Sequence, residues 1–367
     1  MFFAVECSFI CMKSKFTWIL LLTLAAAIKL FSFFPAQVER LYARGLFPLL
    51  ARTLRILFGW VPFSIGDVLY IIAGLYCLRK GFAVVRLFLD KQLSGRLLVR
   101  FFQRIVFICL TIYIAFNLLW GLNYNRIPMA QQLGLSLSPY STQTLEVVAK
   151  ALVDTLNSFD STDPAPRRQL DSKRMLFRET VQTYALAKEQ YPLLNYQTNS
   201  IKSSLFSYAG NYIGFTGYYN PFTGEAQTNT TVPSFVQPFT TCHEIGHQLG
   251  YAKENEANFA GFLSCRVSGN PAFRYSVYFD MYSYVISEMG KRDSLLAQRF
   301  TGQLHNNVRE DYKEIRAFFR RHENPFGAVV WRLYANYLRA NQQPSGLHSY
   351  NEVVAMLVAF YKKHRFI

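Results

Sequence analysis

Residues 240–262 read TTCHEIGHQLGYAKENEANFAGF, and the reading of this stretch decides what kind of domain the chain carries. His243 and His247 stand four apart in a chain with six histidines. On a helix, positions i and i+4 share a face about 6 Å apart. Both imidazoles can therefore meet one ion, and imidazole suits zinc. Glu244 lies one residue along, angled beside the ion and not onto it. From there it can take a proton from a water on the metal. The competing reading is an amphipathic helix with two satisfied histidines. Thr240 and Thr241 offer caps just before the histidines, and Gly250 offers a stop just after them. That framing favours the metal site.

A catalytic zinc needs a third protein ligand and one open position. The metzincin pattern HExxHxxGxxH matches at His243, Glu244, His247 and Gly250, then meets Lys253 where its third histidine belongs. A protonated lysine cannot ligate, so that pattern fails. Two acids follow at once, Glu254 and Glu256. The gluzincin pattern ExxA[D/N] fits Glu254 as ligand, Ala257 as the small residue that lets two helices approach, and Asn258 as the group that orients a ligating histidine. Glu256 is the alternative ligand. A solvated acid at a helix start is the bland reading of either.

Working outward, the 367 residues are 51% hydrophobic and 17% charged, below the usual quarter charged for soluble domains. The deficit is N-terminal: residues 1–124 hold fourteen Lys/Arg and four Asp/Glu, and the remainder has ordinary globular composition. Apolar stretches at about 16–34, 63–84 and 105–122 approach or exceed the roughly 20 residues of a membrane span. The first is expected to be retained, since it lacks a small-x-small cleavage site; Met12 is an alternative start. The net charge of +16 comes from basic residues flanking apolar runs, as membrane topology requires. With no zinc-finger, helix-turn-helix or RNA-binding signature, no nucleic-acid partner is expected. Six cysteines without a CxxC pair give no disulfide framework and no thiolate site. Cys242 reads as a small buried apolar side chain.

Between the first two spans, Arg40, Arg44, Arg52 and Arg55 alternate with apolar residues at helical spacing. This predicts a helix lying in the membrane interface, or one packed on the downstream domain. The stretch 79–104 reads as the most basic loop, hence cytoplasmic. That places residues 125–367 outside the inner membrane of a bacterium. Helices are expected at 139–159 and 171–192 around a loop at 160–169. Residues 200–238, rich in Gly, Tyr, Phe and Thr, predict strands and loops. From 238 onward the pattern is helical almost to the end. The fold class is mainly α: a three-helix membrane region at 1–124, then an α-rich domain with a small β-sheet at 125–367.

Four segments, WGLNYNR (120–126), NPFTGEA (220–226), PFTTCHEIGHQLGYAKENEANF (238–259) and SYNEVV (349–354), resemble those of a bacterial membrane-protein family grouped as a domain of unknown function. The resemblance covers nearly the whole chain. It implies a gluzincin-like zinc peptidase fold and supplies no substrate. The metal motif also resembles that of integral-membrane gluzincins of the HtpX and CAAX-protease kind. Those place a long insertion between second histidine and third ligand; the gap here is short, so Glu254 and Glu256 both stay open. Gluzincins run a substrate-pairing strand upstream of the metal helix, and GNYIGFTGYYNPFTGEA (210–226) occupies that place. Its glycines allow a peptide to add as a strand. Tyr218 or Tyr219 would donate to the oxyanion, unless they simply pack in the sheet. Glu225 would pair with a substrate amine or a nearby arginine. His305, His322, His348 and His364 carry no motif and read as surface residues. The chain is thus expected to be a membrane-anchored zinc metallopeptidase acting on a peptide or protein near the bilayer. The alternative is a metal-binding sensor or scaffold of a membrane complex.

Overall fold

The apolar runs fold as helices α1 (Lys15–Phe31), α3 (Ile65–Leu89) and α4 (Gly95–Leu119), with α2 (Pro35–Gly59) between the first two. The structure, a computed structural model, describes residues 15–92, 94–159, 170, 172–341 and 349–365. The expected 160–169 loop, Cys7, Cys11, Met12 and His348 lie outside these residues. Helices α3 and α4 have 25 residues each, about 37 Å at 1.5 Å per residue. Both are long and apolar enough to cross a membrane, and the α1–α2 pair, bent by 98°, makes a third candidate. Leu78 and Phe82 are each more than 70% exposed on α3, as a helix surrounded by lipid allows.

Two expectations shift. The stretch 79–104, read as a loop, is helical over 79–89 and 95–104; Ser94 caps α4 by accepting from Leu97 N at 3.3 Å. A helix satisfies its own backbone, and long Lys and Arg stems carry their charges outward. The α2 segment packs on the downstream domain, the second of the two readings its sequence left open. Its inner face buries Val38, Tyr42, Phe47 and Ala51 with Trp120, Leu122, Tyr124 and Ala252. Its outer face exposes Leu49, Ile56, Leu57 and Trp60. Within it, Val38–Leu46 is a π-helical stretch. Glu39, on that stretch, is buried and takes a bidentate pair of 2.9 Å bonds from Arg126, plus Arg44 Nε at 2.7 Å.

Downstream, Ser141 and Ser172 cap α5 (Thr142–Ser158) and α6 (Lys173–Gln190) through Thr144 N and Met175 N, each at 3.2 Å. The Gly/Tyr-rich stretch forms β1 (Ile201–Ser203), β2 (Gly217–Asn220) and β3 (Glu225–Thr228) in the order β1-β3-β2. It also contains a seven-residue helix, α7 (Ser207–Ile213), closed by Gly214 at φ +77°. β1 runs parallel to β3; β2 runs antiparallel and pairs Gly217 with Thr228 and Tyr219 with Ala226, which leaves β2 on an edge. Then follow α8 (Gln237–Gln248), α9 (Glu254–Arg266), α10 (Pro271–Arg292), α11 (Ser294–Gly302), α12 (Asn306–Arg321), α13 (Pro325–Ala340) and α14 (Ser349–His364). Helices α5, α6, α8, α9, α10 and α14 share one core. Phe259 and Phe262 meet Phe360 there at 6.0 and 5.5 Å. Burying each such ring stabilises by about 1.5–3 kcal/mol, which fixes α9 against α14 and so fixes its N-terminus.

Candidate metal centre

Helix α8 starts earlier than its threonines suggest. Pro238 sits in its first turn, where a fixed φ and a missing N–H fit without loss. Thr240 and Thr241 are therefore inside the helix and do not cap it; Thr241 Oγ1 donates back to Gln237 O at 2.7 Å. The stop is where the sequence puts it. Gly250 has φ +83°, its N–H reaches His247 O at 3.0 Å, and Tyr251 N reaches Gly246 O at 3.1 Å. This pair of bonds is a Schellman turn. It reverses the chain so that α9 returns alongside α8. The two helices approach closely: a Cβ on Gly246 would lie 3.1 Å from Ala257 Cα and 3.2 Å from Ala260 Cβ. Ala257 thus takes the place expected of it.

The crossing brings the first residue of α9 to the two histidines. His243 Nε2 is 3.4 Å from Glu254 Oε2, and His247 Nε2 is 3.6 Å from Glu254 Oε1. One ligand atom from each of the three lies within 4.8 Å of the others. The second nitrogens are already engaged. His243 Nδ1 bonds Asn258 Oδ1 and His247 Nδ1 bonds Tyr251 O, both at 2.8 Å. These bonds turn both Nε2 atoms toward Glu254 and hold the rings at right angles, centroids 4.8 Å apart. Without an ion, burial disfavours a charged His243, but Glu254 and Glu244 outweigh it and lift the ring to about 9. Burial pushes Glu254 up, while bonds from the two histidines more than reverse this and hold it well below the usual range. The trio has the donor chemistry of a divalent-cation site of borderline softness.

Glu244 is next to the trio, with Oε1 4.0 Å from His243 Nε2. Its Oε2 is buried without a hydrogen-bond partner. Burial raises it to about 7, opposed by the charges of His243 and His247. Edge strand β2 fixes its position: a Cβ on Gly217 would stand 2.6 Å from Glu244 Oε1.

The other expected residues distribute differently. Glu256 faces away from the histidines and accepts from Met129 N at 2.9 Å. Glu225 meets neither an arginine nor open space. It is fully buried, accepts from Gly66 N at 2.7 Å, Ile65 N at 3.1 Å and Thr223 Oγ1 at 2.9 Å, and so secures the N-terminus of α3 to the sheet. A carboxylate is stabilised at that helix end. The Tyr218 hydroxyl is held by Asp67, on the first turn of α3, and by Ser204 Oγ at 2.8 Å. Tyr219 packs on Trp120 with centroids 5.2 Å apart.

Several site residues escaped the sequence reading. Tyr334 of α13 donates to Glu254 Oε1 at 2.7 Å. Asp280 of α10 lines the same cavity, its Oδ2 buried and without a hydrogen-bond partner; burial lifts it to about 8. Its signal was available, as a lone carboxylate inside the apolar run YSVYFDMYSYVI. Trp120 Nε1 donates to His247 O at 2.9 Å. Arg126 Nη1 reaches Leu249 O and Gly250 O at 3.4 and 3.3 Å, and Arg55 Nη1 reaches Gln248 O at 3.2 Å. The WGLNYNR segment thus latches the turn after α8 to α2 and α4. The cavity over the trio holds about 1160 Å³ and is walled by β2, α4, α10 and α13.

The family described as protein of unknown function DUF3810 matches residues 42–358, and the chain belongs to it. No curated protein and no solved structure matches the chain.

Proposed function

We propose that this member of the DUF3810 family is a membrane-anchored zinc metallopeptidase in which His243, His247 and Glu254 would hold the ion. The observation that carries this reading is the convergence of those three donors within 4.8 Å, with both Nδ1 atoms committed elsewhere. Two imidazoles and one carboxylate suit zinc and leave a coordination position open. Zinc, when bound, would polarise the scissile carbonyl and make water more acidic.

The chain's own residues supply the rest. Glu244, with a free Oε2 beside the trio, accepts the proton of the attacking water and passes it to the leaving amine. The β2 edge beside it pairs with an extended peptide backbone. The Tyr334 hydroxyl, already within reach of Glu254, donates to the oxyanion. A non-catalytic sensor or scaffold accounts less well for Glu244, because burying an unpartnered carboxylate is costly and serves no structural end. A structural site also fills its fourth position with protein, and among the described residues the cluster has three donors.

The same reading gives a topology. The ends of α1 and α4 and the start of α3 lie against the domain, and the end of α3 and the start of α4 lie a helix length away. The basic residues there would face the cytoplasm, with the domain outside the bacterial inner membrane. The test is cleavage of a quenched-fluorescence peptide library by the full chain in detergent. Cleavage should stop with chelator, return with zinc, and fall about 10²–10⁴-fold in Glu244→Gln. Equal rates in Glu244→Gln, or no cleavage by the zinc-loaded chain, would overturn the proposal.

A further inference from the structure

The cavity above the trio is continued by the membrane helices. Cys109, Ile112, Tyr113, Phe116, Asn117 and Trp120 all line it. Their spacing of three and four places them on one face of α4. The stripe ends at Trp120, which is bonded to His247 O, and begins eleven residues earlier. That is about 16 Å along the helix, a length equal to half the thickness of a hydrocarbon core of about 30 Å. Lys29 and Ser32, at the C-terminal end of α1, flank the same cavity, as does Tyr70 on α3. The opposite wall is α13. It turns Trp331, Tyr334 and Leu338 toward the cavity and exposes Phe326, Val329 and Leu333 on its outer side. An outer face this apolar suits a membrane surface.

We infer that the groove along α4 receives an apolar peptide segment directly from the bilayer, so that the substrate is a membrane-embedded polypeptide and not a soluble one. This rests on the peptidase reading above and adds the substrate class to it. Sixteen ångströms accommodates about five extended residues. The chemistry of the wall favours peptide over a lipid tail: the Asn117 amide already donates to Tyr113 O at 2.8 Å, but its Oδ1 and the Tyr113 hydroxyl, on the cavity-lining face, are polar groups that backbone amides satisfy and an acyl chain does not. The carbonyl then arrives at the trio from the membrane side, beside the β2 edge.

The experiment uses the full chain carrying Glu244→Gln, in nanodiscs. One probe is a peptide whose polar half precedes eight apolar residues including a diazirine-bearing leucine. The other carries the diazirine on an acyl chain attached to the same polar half. The peptide probe should label residues 109–117, be displaced by unlabelled peptide, and lose about tenfold labelling in Ile112→Trp. Val99→Trp, equally bulky on an exposed part of α4 outside the cavity, should label as the parent does. Labelling spread over lipid-facing residues and resistant to competition would overturn the inference. So would groove labelling by the acyl probe alone. If the peptide labels the groove yet the zinc-loaded wild-type chain leaves it intact, the groove stands and the hydrolytic reading falls.

Discussion

Replacing Gly217 by alanine tests whether Glu244 is the base, because it moves that residue without touching a ligand. Gly217 is absent from the positive-φ glycines, so alanine costs nothing in backbone conformation. Its Cβ would stand 2.6 Å from Glu244 Oε1, 2.9 Å from Glu244 Cγ and 2.9 Å from Thr240 Cγ2. Ordinary contact begins near 3.4 Å, so the carboxylate or the β2 edge must retreat by about 0.8 Å. A misplacement of about 1 Å costs up to about 10²-fold in rate, equivalent to nearly 3 kcal/mol of barrier. Crowding the pair costs about 1–3 kcal/mol of stability. Gly217→Ala should therefore keep its zinc, unfold several degrees earlier, and lose about 30- to 100-fold in kcat/KM. The assay is peptide cleavage alongside metal content and thermal unfolding. Gly74→Ala, where a Cβ meets nothing within 4 Å, is the control. A Gly217→Ala protein that is folded, loaded and fully active would refute the placement of Glu244 as base.

Three further outcomes follow from the same geometry. Asn258→Ala frees His243 Nδ1 and should weaken zinc binding about 10–100-fold, read by competition with a chromogenic chelator. Glu225→Ala strips the acceptor from the buried start of α3 and should cost about 3 kcal/mol or more of stability while leaving metal content unchanged; loss of metal without loss of stability would contradict its anchoring role. The third concerns pH. Metal-free His243 is raised to about 9, so its stabilisation is complete below the unfolded value near 6.5 and disappears as pH rises through about 9. Zinc must displace that proton. Binding at pH 7.5 should then release about one proton and tighten about tenfold per pH unit up to about 9. Calorimetry in buffers of different ionisation enthalpy measures the release, and a buffer-independent heat would contradict it.

What the sequence made legible was local. His243, Glu244 and His247 lie within five residues on one helix, so helical geometry alone aligns them. Glu254 and Asn258 were within reach because Gly250 announces the turn that returns α9. The helices long enough to span a membrane were legible as apolar runs, but their lengths were not, since the basic turns of α3 and α4 read as loop. Glu225 read as a partner for a substrate amine or an arginine because its actual partners, Ile65 N and Gly66 N, lie about 160 residues away. The contacts of Tyr334 and Trp120 were invisible for the same reason. One reaches Glu254 from 80 residues downstream and the other His247 from 127 upstream, and no periodicity records such contacts. The π-helical stretch that carries Glu39 likewise has no pattern that distinguishes it from an α-helix.

The measurement that bears most directly on the account is zinc per chain. The full chain, Glu244→Gln, Glu254→Ala and Glu256→Ala would be purified in detergent without a chelating resin, with folding checked by circular dichroism. The account predicts about one zinc in the wild type, Glu244→Gln and Glu256→Ala, and almost none in Glu254→Ala. A folded wild type without metal, or a Glu254→Ala protein that keeps its zinc, would contradict it.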